Sequence, residues 1–384
     1  MSKILYGVTG VGFGHSSRAD AISNMIGDDH VILFAASNKA HDYLASIGKD
    51  VVPINGFEYA IKGNEISYIK TFWKNVLNLP LFLHSFFSLV MLVRRFDPDM
   101  VITDFEPLTA IVAKLTKRPL VSVDHQNVIC RTAIEYPPEH EKGFFLANLV
   151  ARYMVNAADL YLVTSFFFPK LVKDNIKLIP PIVREMVREN KAFMGDHVIV
   201  YYHSGNEGLY EILKTFKDMS FIVYGENIEM EDENISFRKT SKTNFIKDLA
   251  SAKAVINNGG YTLISESLYF RKPILSIPVS GQFEQVLNAY YLEKMGFGMF
   301  LESVEQPKLA EFFGNIDHYM RHLEAIEWDG NEEFLKEFAS AIHSLERGRE
   351  KERYPKTLSA PTLVFRKGIN WLFSSRPLQH FTNR

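Results

Sequence analysis

One stretch limits the fold more than any other: residues 254–298, AVINNGGYTLISESLYFRKPILSIPVSGQFEQVLNAYYLEKMGFG. The brief apolar run at 254–256 suffices for one buried strand. Asn257-Asn258-Gly259-Gly260 signals a sharp turn. Residues 262–270 read as a helix that Arg271-Lys272-Pro273 ends, and 273–277 as a second strand. After the Ser280-Gly281 turn, Gln282-Phe283-Glu284-Gln285 begins another helix. Strand, turn, helix, strand is the unit from which parallel α/β sheets are built. The helix that follows the paired glycines presents free N–H groups at Tyr261, Thr262 and Leu263. With the helix dipole, they suit a diphosphate. Glu266 lies one turn on, at i+4 from Thr262 and on the same face. A carboxylate there accepts hydrogen bonds from two vicinal ribose hydroxyls. Gln282, Glu284 and Gln285 stand where sugar hydroxyls would be read. A plain βαβ unit whose glycines only turn the chain is the simpler alternative.

The same alternation runs through the rest of the sequence. Residues 4–8 read as a buried first strand leading into Thr9-Gly10-Val11-Gly12-Phe13-Gly14-His15. The spacing is G-x-G-x-G, unlike the dinucleotide fingerprint G-x-G-x-x-G. Its glycines keep the loop thin, so a ligand can come close to the backbone. A helix at 17–25, strands at 31–35 and 51–54, and a helix at 39–47 follow. Further strands are expected at 100–103, 121–123 and 159–164, with helices at 81–96 and 146–158. In such doubly wound sheets the carboxyl ends of the strands face the ligand crevice. That places Asp104 and Glu106, either of which can hydrogen-bond His15, and also Asp124, His125 and Gln126. Asp97-Pro98-Asp99 is read as turn chemistry between helix and strand, not as a metal-binding D-x-D string.

At 384 residues the chain calls for two domains. The expected division is 1–165, a proline-stiffened linker at 166–184, 185–345, and a tail at 346–384. The second half repeats the first: a strand at 197–202, a glycine loop at 203–208, a helix at 211–216, a strand at 221–224, a further segment at 235–238, then 254–298. Net charge is −2, from 43 basic and 45 acidic residues, which gives no broad field for nucleic acid. Cys130 is the single cysteine, so there is no internal disulfide, and no cluster suggests a metal. The opening MSKILYGVTG has none of the regions of a secretory leader, and a cytoplasmic protein is expected. Residues 76–93 are the most apolar stretch and reach the lower length of a membrane span. Asn78, Pro80 and His84 argue against a span. A buried crossover helix is one reading; the other is a helix facing lipid on a peripheral protein, helped by Arg94 and Arg95.

Residues 254–298 resemble the donor-nucleotide motif of GT-B glycosyltransferases. The shared features are the Gly-Gly turn, the helical Glu, an acid-Gln pair, Asn-Ala and Gly-x-Gly. The group most similar holds the undecaprenyl-linked N-acetylglucosamine transferase of peptidoglycan synthesis and the UDP-glucuronosyltransferases. Two departures stand out: Glu284-Gln285 replaces the usual Asp-Gln, and Asn258 replaces a His frequent in the plant enzymes. The resemblance implies two Rossmann-like doubly wound domains facing across a cleft. It also implies metal-independent, inverting transfer from a UDP-sugar co-substrate, without a cofactor, to a lipid-linked or glycan hydroxyl of the cell envelope. The place of work would be the cytoplasm, at the inner face of the membrane. It offers His15 as general base, a residue type that titrates near neutrality, with Gly12, Gly14, Asp124, His125 and Gln126 on the acceptor side. For the donor it offers Arg184 near the phosphates, Ser204 and Gly205 in the second glycine loop, and Phe245 and Ile246 at the base. A helix-capping His15, a solvated Arg184 and an ordinary helix start at Phe245 are the plainer readings. Two other functions share the fold: a UDP-sugar 2-epimerase, which needs further carboxylates beside the sugar, and a nucleotide-sugar binder without turnover.

Overall fold

The computed structural model describes residues 1–56, 61–62, 65–66, 68–202, 207–239 and 241–353. Residues 1–341 pack as one unit, and both sheets belong to it. In the first half, β1 (Ser2–Val8), α1 (Gly14–Ile26), β2 (His30–Ala36), α2 (Asn38–Ser46) and β3 (Val51–Pro53) alternate. A short hairpin, β4 (Ile61–Lys62) and β5 (Glu65–Ile66), precedes α3 (Tyr68–Leu77) and α4 (Leu79–Phe96). β6 (Met100–Asp104), α5 (Pro107–Leu115), β7 (Leu120–Asp124), α6 (Asn127–Arg131), α7 (Glu141–Met154), β8 (Leu160–Thr164) and β9 (Ile176–Ile179) complete it. The sheet order is β3-β2-β1-β6-β7-β8-β9, parallel throughout. β6 and β7 are buried along their whole length, as expected of parallel strands covered on both faces.

The second half opens with α8 (Glu185–Arg188), β10 (His197–Tyr201), α9 (Glu207–Lys214), β11 (Ser220–Tyr224), β12 (Met230–Asp232) and β13 (Ile235–Phe237). It continues with α10 (Lys242–Ala250), β14 (Ala254–Asn257), α11 (Tyr261–Tyr269), β15 (Ile274–Ser276), α12 (Phe283–Lys294) and β16 (Gly298–Phe300). Its sheet runs β12-β13-β11-β10-β14-β15-β16, with only β12 antiparallel. α13 (Gln306–Gly314), α14 (Ile316–Glu324) and α15 (Gly330–Arg353) follow. In each sheet the winding reverses beside the first strand, between β1 and β6 and between β10 and β14. Such switch points are where doubly wound sheets open a crevice.

One expectation needs correction, and two further features stand beside it. The stretch 166–184 is no mere linker, because β9 pairs with β8 and closes the first sheet. Its four residues, one of them Lys177, are too short and mixed to read as a strand alone. The far end of the second half also returns: Asn331 exchanges hydrogen bonds with the Val183 backbone in both directions at 2.9 Å, and Phe338 packs edge-on against His30 of β2. Finally, α4 occupies the crossover position, yet it buries only Ser85, Leu89 and Val93, while Leu83 and Phe87 are 50% and 63% exposed. The Asp97–Asp99 turn is as read: Asp97 ends α4 in a left-handed conformation, and Asp99 accepts from the Lys3 amide. Of the tail, residues 354–384 lie outside the described residues.

Candidate active site

Two groups of residues meet where the crevices face each other. The first is built on α1. His15 lies in its first turn, and Nδ1 is 2.7 Å from Oδ1 of Asp104, the last residue of β6. Arg18, three residues on and therefore on the same helical face, donates to both oxygens of that carboxylate at 2.8 and 2.6 Å. All three side chains are buried. Burial alone would raise the Asp104 carboxyl, but the Arg18 guanidinium and the His15 ring outweigh it and hold it below its ordinary value. A carboxylate can only accept, so Nδ1 of His15 carries a hydrogen toward Asp104, and in the neutral ring that leaves the lone pair on Nε2. Arg18 had no assigned role in the sequence; its i+3 spacing from His15 was the available signal.

The second group is the glycine turn before α11. Gly259 has φ +76°, and a Cβ there would stand 2.6 Å from the carbonyl oxygen of Gln285. Only glycine fits. Asn257 Oδ1 pins the turn by accepting from the Gly259 amide at 2.8 Å and from Ser276 at 2.7 Å. Gly260 has no side chain to cap α11, so the N–H groups of its first turn have no capping partner. The two groups lie close together: a Cβ on Gly14 would reach within 2.7 Å of Thr262 Oγ1. A cavity of about 10 Å³ remains between them, bordered by Gly14, Arg18, Arg184, Tyr261, Thr262 and Glu266. A wider hollow of about 330 Å³ lies by α9, lined by Tyr202, Leu209, Ile277 and Glu302 among others, and among the described residues no expected site residue lines it.

The remaining expected residues divide. Glu266 is buried, and Arg184 reaches its Oε1 through Nε at 2.8 Å and Nη2 at 2.7 Å. Burial raises the Glu266 carboxyl, with Arg184 only partly opposing. The two residues expected to touch different parts of a nucleotide thus touch each other. Gln126 Nε2 donates to both oxygens of Glu284, at 3.2 and 3.1 Å, across the halves. Gly12 is exposed with φ +80°, and Gln282 precedes α12 without capping it. Asn258 is buried, with its amide 3.4 Å from the Ile277 carbonyl.

Several expected contacts are committed elsewhere. Glu106 caps α5, accepting from the Leu108 and Thr109 amides and from Thr109 Oγ1, so its carboxylate is not the partner of His15. Asp124 is buried and accepts from Ser122, the Asn127 amide and Asn127 Nδ2, so it holds the start of α6. Gln285 Oε1 accepts from the Val279 amide and braces its own loop. Phe245 is buried edge-on against Tyr224 and Tyr201, and Ile246 is buried beside it, so both side chains are core. His125 is wholly buried between the halves, where Nε2 meets Asn288, a residue whose Asn-Ala motif had signalled no role. Ser204 and Gly205 lie outside the described residues. Among the described residues, Glu139, His140 and Glu302 could share a cation, but the two glutamates are exposed and none belongs to either group.

Comparison with known proteins gives a consistent picture. Residues 2–317 match the profile of a family described as glycosyl transferase family 1. An uncharacterized glycosyltransferase of Methanosarcina mazei is 24% identical over 340 residues, 80% of this chain and 88% of that one. The UDP-N-acetylglucosamine–N-acetylmuramyl-(pentapeptide) pyrophosphoryl-undecaprenol N-acetylglucosamine transferase of Pseudothermotoga lettingae is 29% identical over 153 residues, 37% of this chain and 45% of that one. Among solved structures, MurG of Acinetobacter baumannii superposes with a TM-score of 0.58 at 11% identity, covering 88% of this chain and 99% of that one. A UDP-glucosyltransferase of Polygonum tinctorium gives 0.62 at 13% identity, covering 88% and 98%.

Proposed function

Because this chain belongs to glycosyl transferase family 1 and is a glycosyltransferase of the GT-B fold, we propose that it moves a sugar from a UDP-sugar to a hydroxyl of a lipid-linked or glycan acceptor, without a metal and with inversion. The observation that carries this reading is the approach of the uncapped α11 turn to the His15–Asp104–Arg18 group. One group suits a leaving diphosphate, the other a hydroxyl that must lose its proton. In the proposed step the acceptor oxygen attacks the anomeric carbon as His15 Nε2 takes its proton. Asp104 holds the ring by Nδ1 and stabilises the imidazolium that forms, and Arg18 fixes Asp104. The bond from the anomeric carbon to UDP breaks, and the N–H groups of Tyr261, Thr262 and Leu263 take up the charge on the diphosphate. Both Arg184 contacts fall on Glu266 Oε1, which leaves Oε2 for the ribose. Arg184 then positions Glu266 instead of meeting the phosphates. Glu284, held by Gln126, orients the sugar.

The exposed side of α4 supports a lipid-linked acceptor. Leu79, Leu83, Phe87 and Met91 point outward, and Arg94 and Arg95 end the helix. Although the helix is long and apolar enough to cross a membrane, its Ser85–Leu89–Val93 stripe is packed inward. It is therefore suited to lying on a lipid surface, with the protein at the inner face of the membrane.

A pair of variants tests the division of labour. Glu266→Ala should weaken UDP binding by about 1.5–3 kcal/mol, read by calorimetric titration. His15→Ala should bind UDP nearly as before while turnover on a pool of cellular acceptors falls roughly 10²–10⁴-fold. Unchanged UDP affinity in the first variant, or near-normal turnover in the second, would remove that residue from the mechanism.

A further inference from the structure

His125 stands at the end of β7 with no exposed surface. Its Nδ1 lies 2.7 Å from the Thr164 carbonyl oxygen and its Nε2 2.8 Å from Asn288 Oδ1. Asn288 Nδ2 donates to the Gly259 carbonyl at 3.0 Å. A carbonyl can only accept, so the orientation of this amide is fixed and Oδ1 must face the imidazole. The ring also stacks on Tyr261, with centroids 3.7 Å apart and planes within 14°. One side chain of the first half thus holds the residues on both sides of Gly260, in the second half. We propose that His125 is a positioning residue for the glycine turn: through Asn288 and Tyr261 it sets the shape of Gly259–Tyr261 only while the two halves are closed on each other. The part of this that concerns ligand rests on the reading of the turn as the diphosphate site.

The geometry has a consequence for protons. Both ring nitrogens face oxygens that accept, so the latch is complete only when both carry hydrogen. Burial opposes that charge and draws the ring toward its neutral form, while Glu284 on α12 favours the charge and Arg18 on α1 opposes it. Tyr261 on α11 is held neutral by its own burial. Closing the halves buries the ring and so favours its neutral form, whose single hydrogen serves one of the two contacts.

Hydrogen exchange in the full, ligand-free chain tests the latch. The Gly259 and Ile264 amides are the readout, since they bond to Asn257 Oδ1 and to the Gly260 carbonyl. His125→Leu and Asn288→Leu should each speed their exchange about tenfold, the worth of one buried hydrogen bond. The double variant should be no faster than the faster single one. His125→Gln, whose amide can donate from near the Nε2 position, should stay within about threefold of the parent. Protection in the parent, corrected for intrinsic rates, should fall as pH drops through about 6.5, where His125 freed from burial takes a proton that the closed ring disfavours, and stay flat in His125→Gln. Parent-like exchange in His125→Leu, additive losses, or the same pH profile in both proteins would overturn the latch. UDP titration of the same proteins separates the two ideas. Failure of the parent to bind UDP sinks the diphosphate reading and leaves the exchange result to decide the latch. Equal UDP affinity in parent and Leu variants, with fast exchange in the latter, overturns the link from latch to ligand.

Discussion

Arg18 decides what Asp104, and through it His15, can do. A buried carboxylate beside a lone imidazole would tend to take a proton; with the guanidinium on both its oxygens it stays charged and keeps Nδ1 of His15 occupied. The sequence offered His15 and two carboxylates, and only packing chose between them, because Glu106 meets its own helix start three residues away. A different buried charge sits far along the chain. Lys272 is 2% exposed, and its Nζ donates to the Phe193 carbonyl. Burial pushes its ammonium down to about 8. The unfolded chain, with an ordinary lysine, binds more protons than the folded one from about pH 8 to about pH 10.4. Stability therefore rises with pH across that window and falls back as pH drops through 8. The unfolding free energy of the parent relative to Lys272→Met should increase by on the order of 3 kcal/mol across it. Denaturant titrations at several pH values measure this, and a constant difference would mean that the ammonium is not desolvated.

At the scale of elements, α12 and α4 put helical periodicity to opposite uses. α12 turns Glu284, Asn288 and Tyr291, spaced i, i+4 and i+7, toward the first half, where they meet Gln126, His125 and Phe167. Its polar stripe is an internal interface, which hydropathy alone reads as a solvated face. α4 does the reverse and leaves apolar residues in the open. The full chain should float with anionic vesicles at low salt, and the pair Leu83→Asp with Phe87→Asp should abolish flotation. The fold should survive, since both side chains face outward. Flotation that persists in the double variant would assign lipid contact to another surface.

For the molecule as a whole, the interface between halves carries the site. Tyr291 stacks on Phe167 with centroids 3.9 Å apart, and its hydroxyl accepts from the Glu135 amide at 2.9 Å. Tyr291→Ala removes a large buried ring from the joint and should cost on the order of 3 kcal/mol. It should also separate the thermal unfolding of the halves into two steps. Scanning calorimetry reads both effects; a single transition at the parent midpoint would mean that the ring does not tie the halves together.

The sequence by itself determined the two α/β halves, the glycine turns and the residue types at the strand ends. These follow from local signals: apolar runs, glycines where φ must be positive or Cβ has no room, and i+4 spacing on one helix. Tertiary structure decided which of those polar residues remain available to a ligand. Glu106, Asp124, Gln285 and His125 all stand at strand ends or helix starts as expected, yet each is held by a neighbour. A polar residue at such a position can serve a ligand or satisfy buried backbone, and its local sequence looks the same either way. Only the chain brought against it, often more than a hundred residues distant as with His125 and Asn288, fixes which. The edge strand β9 and the return of α15 to the first half were hidden for the same reason: their partners, not their own residues, make them what they are.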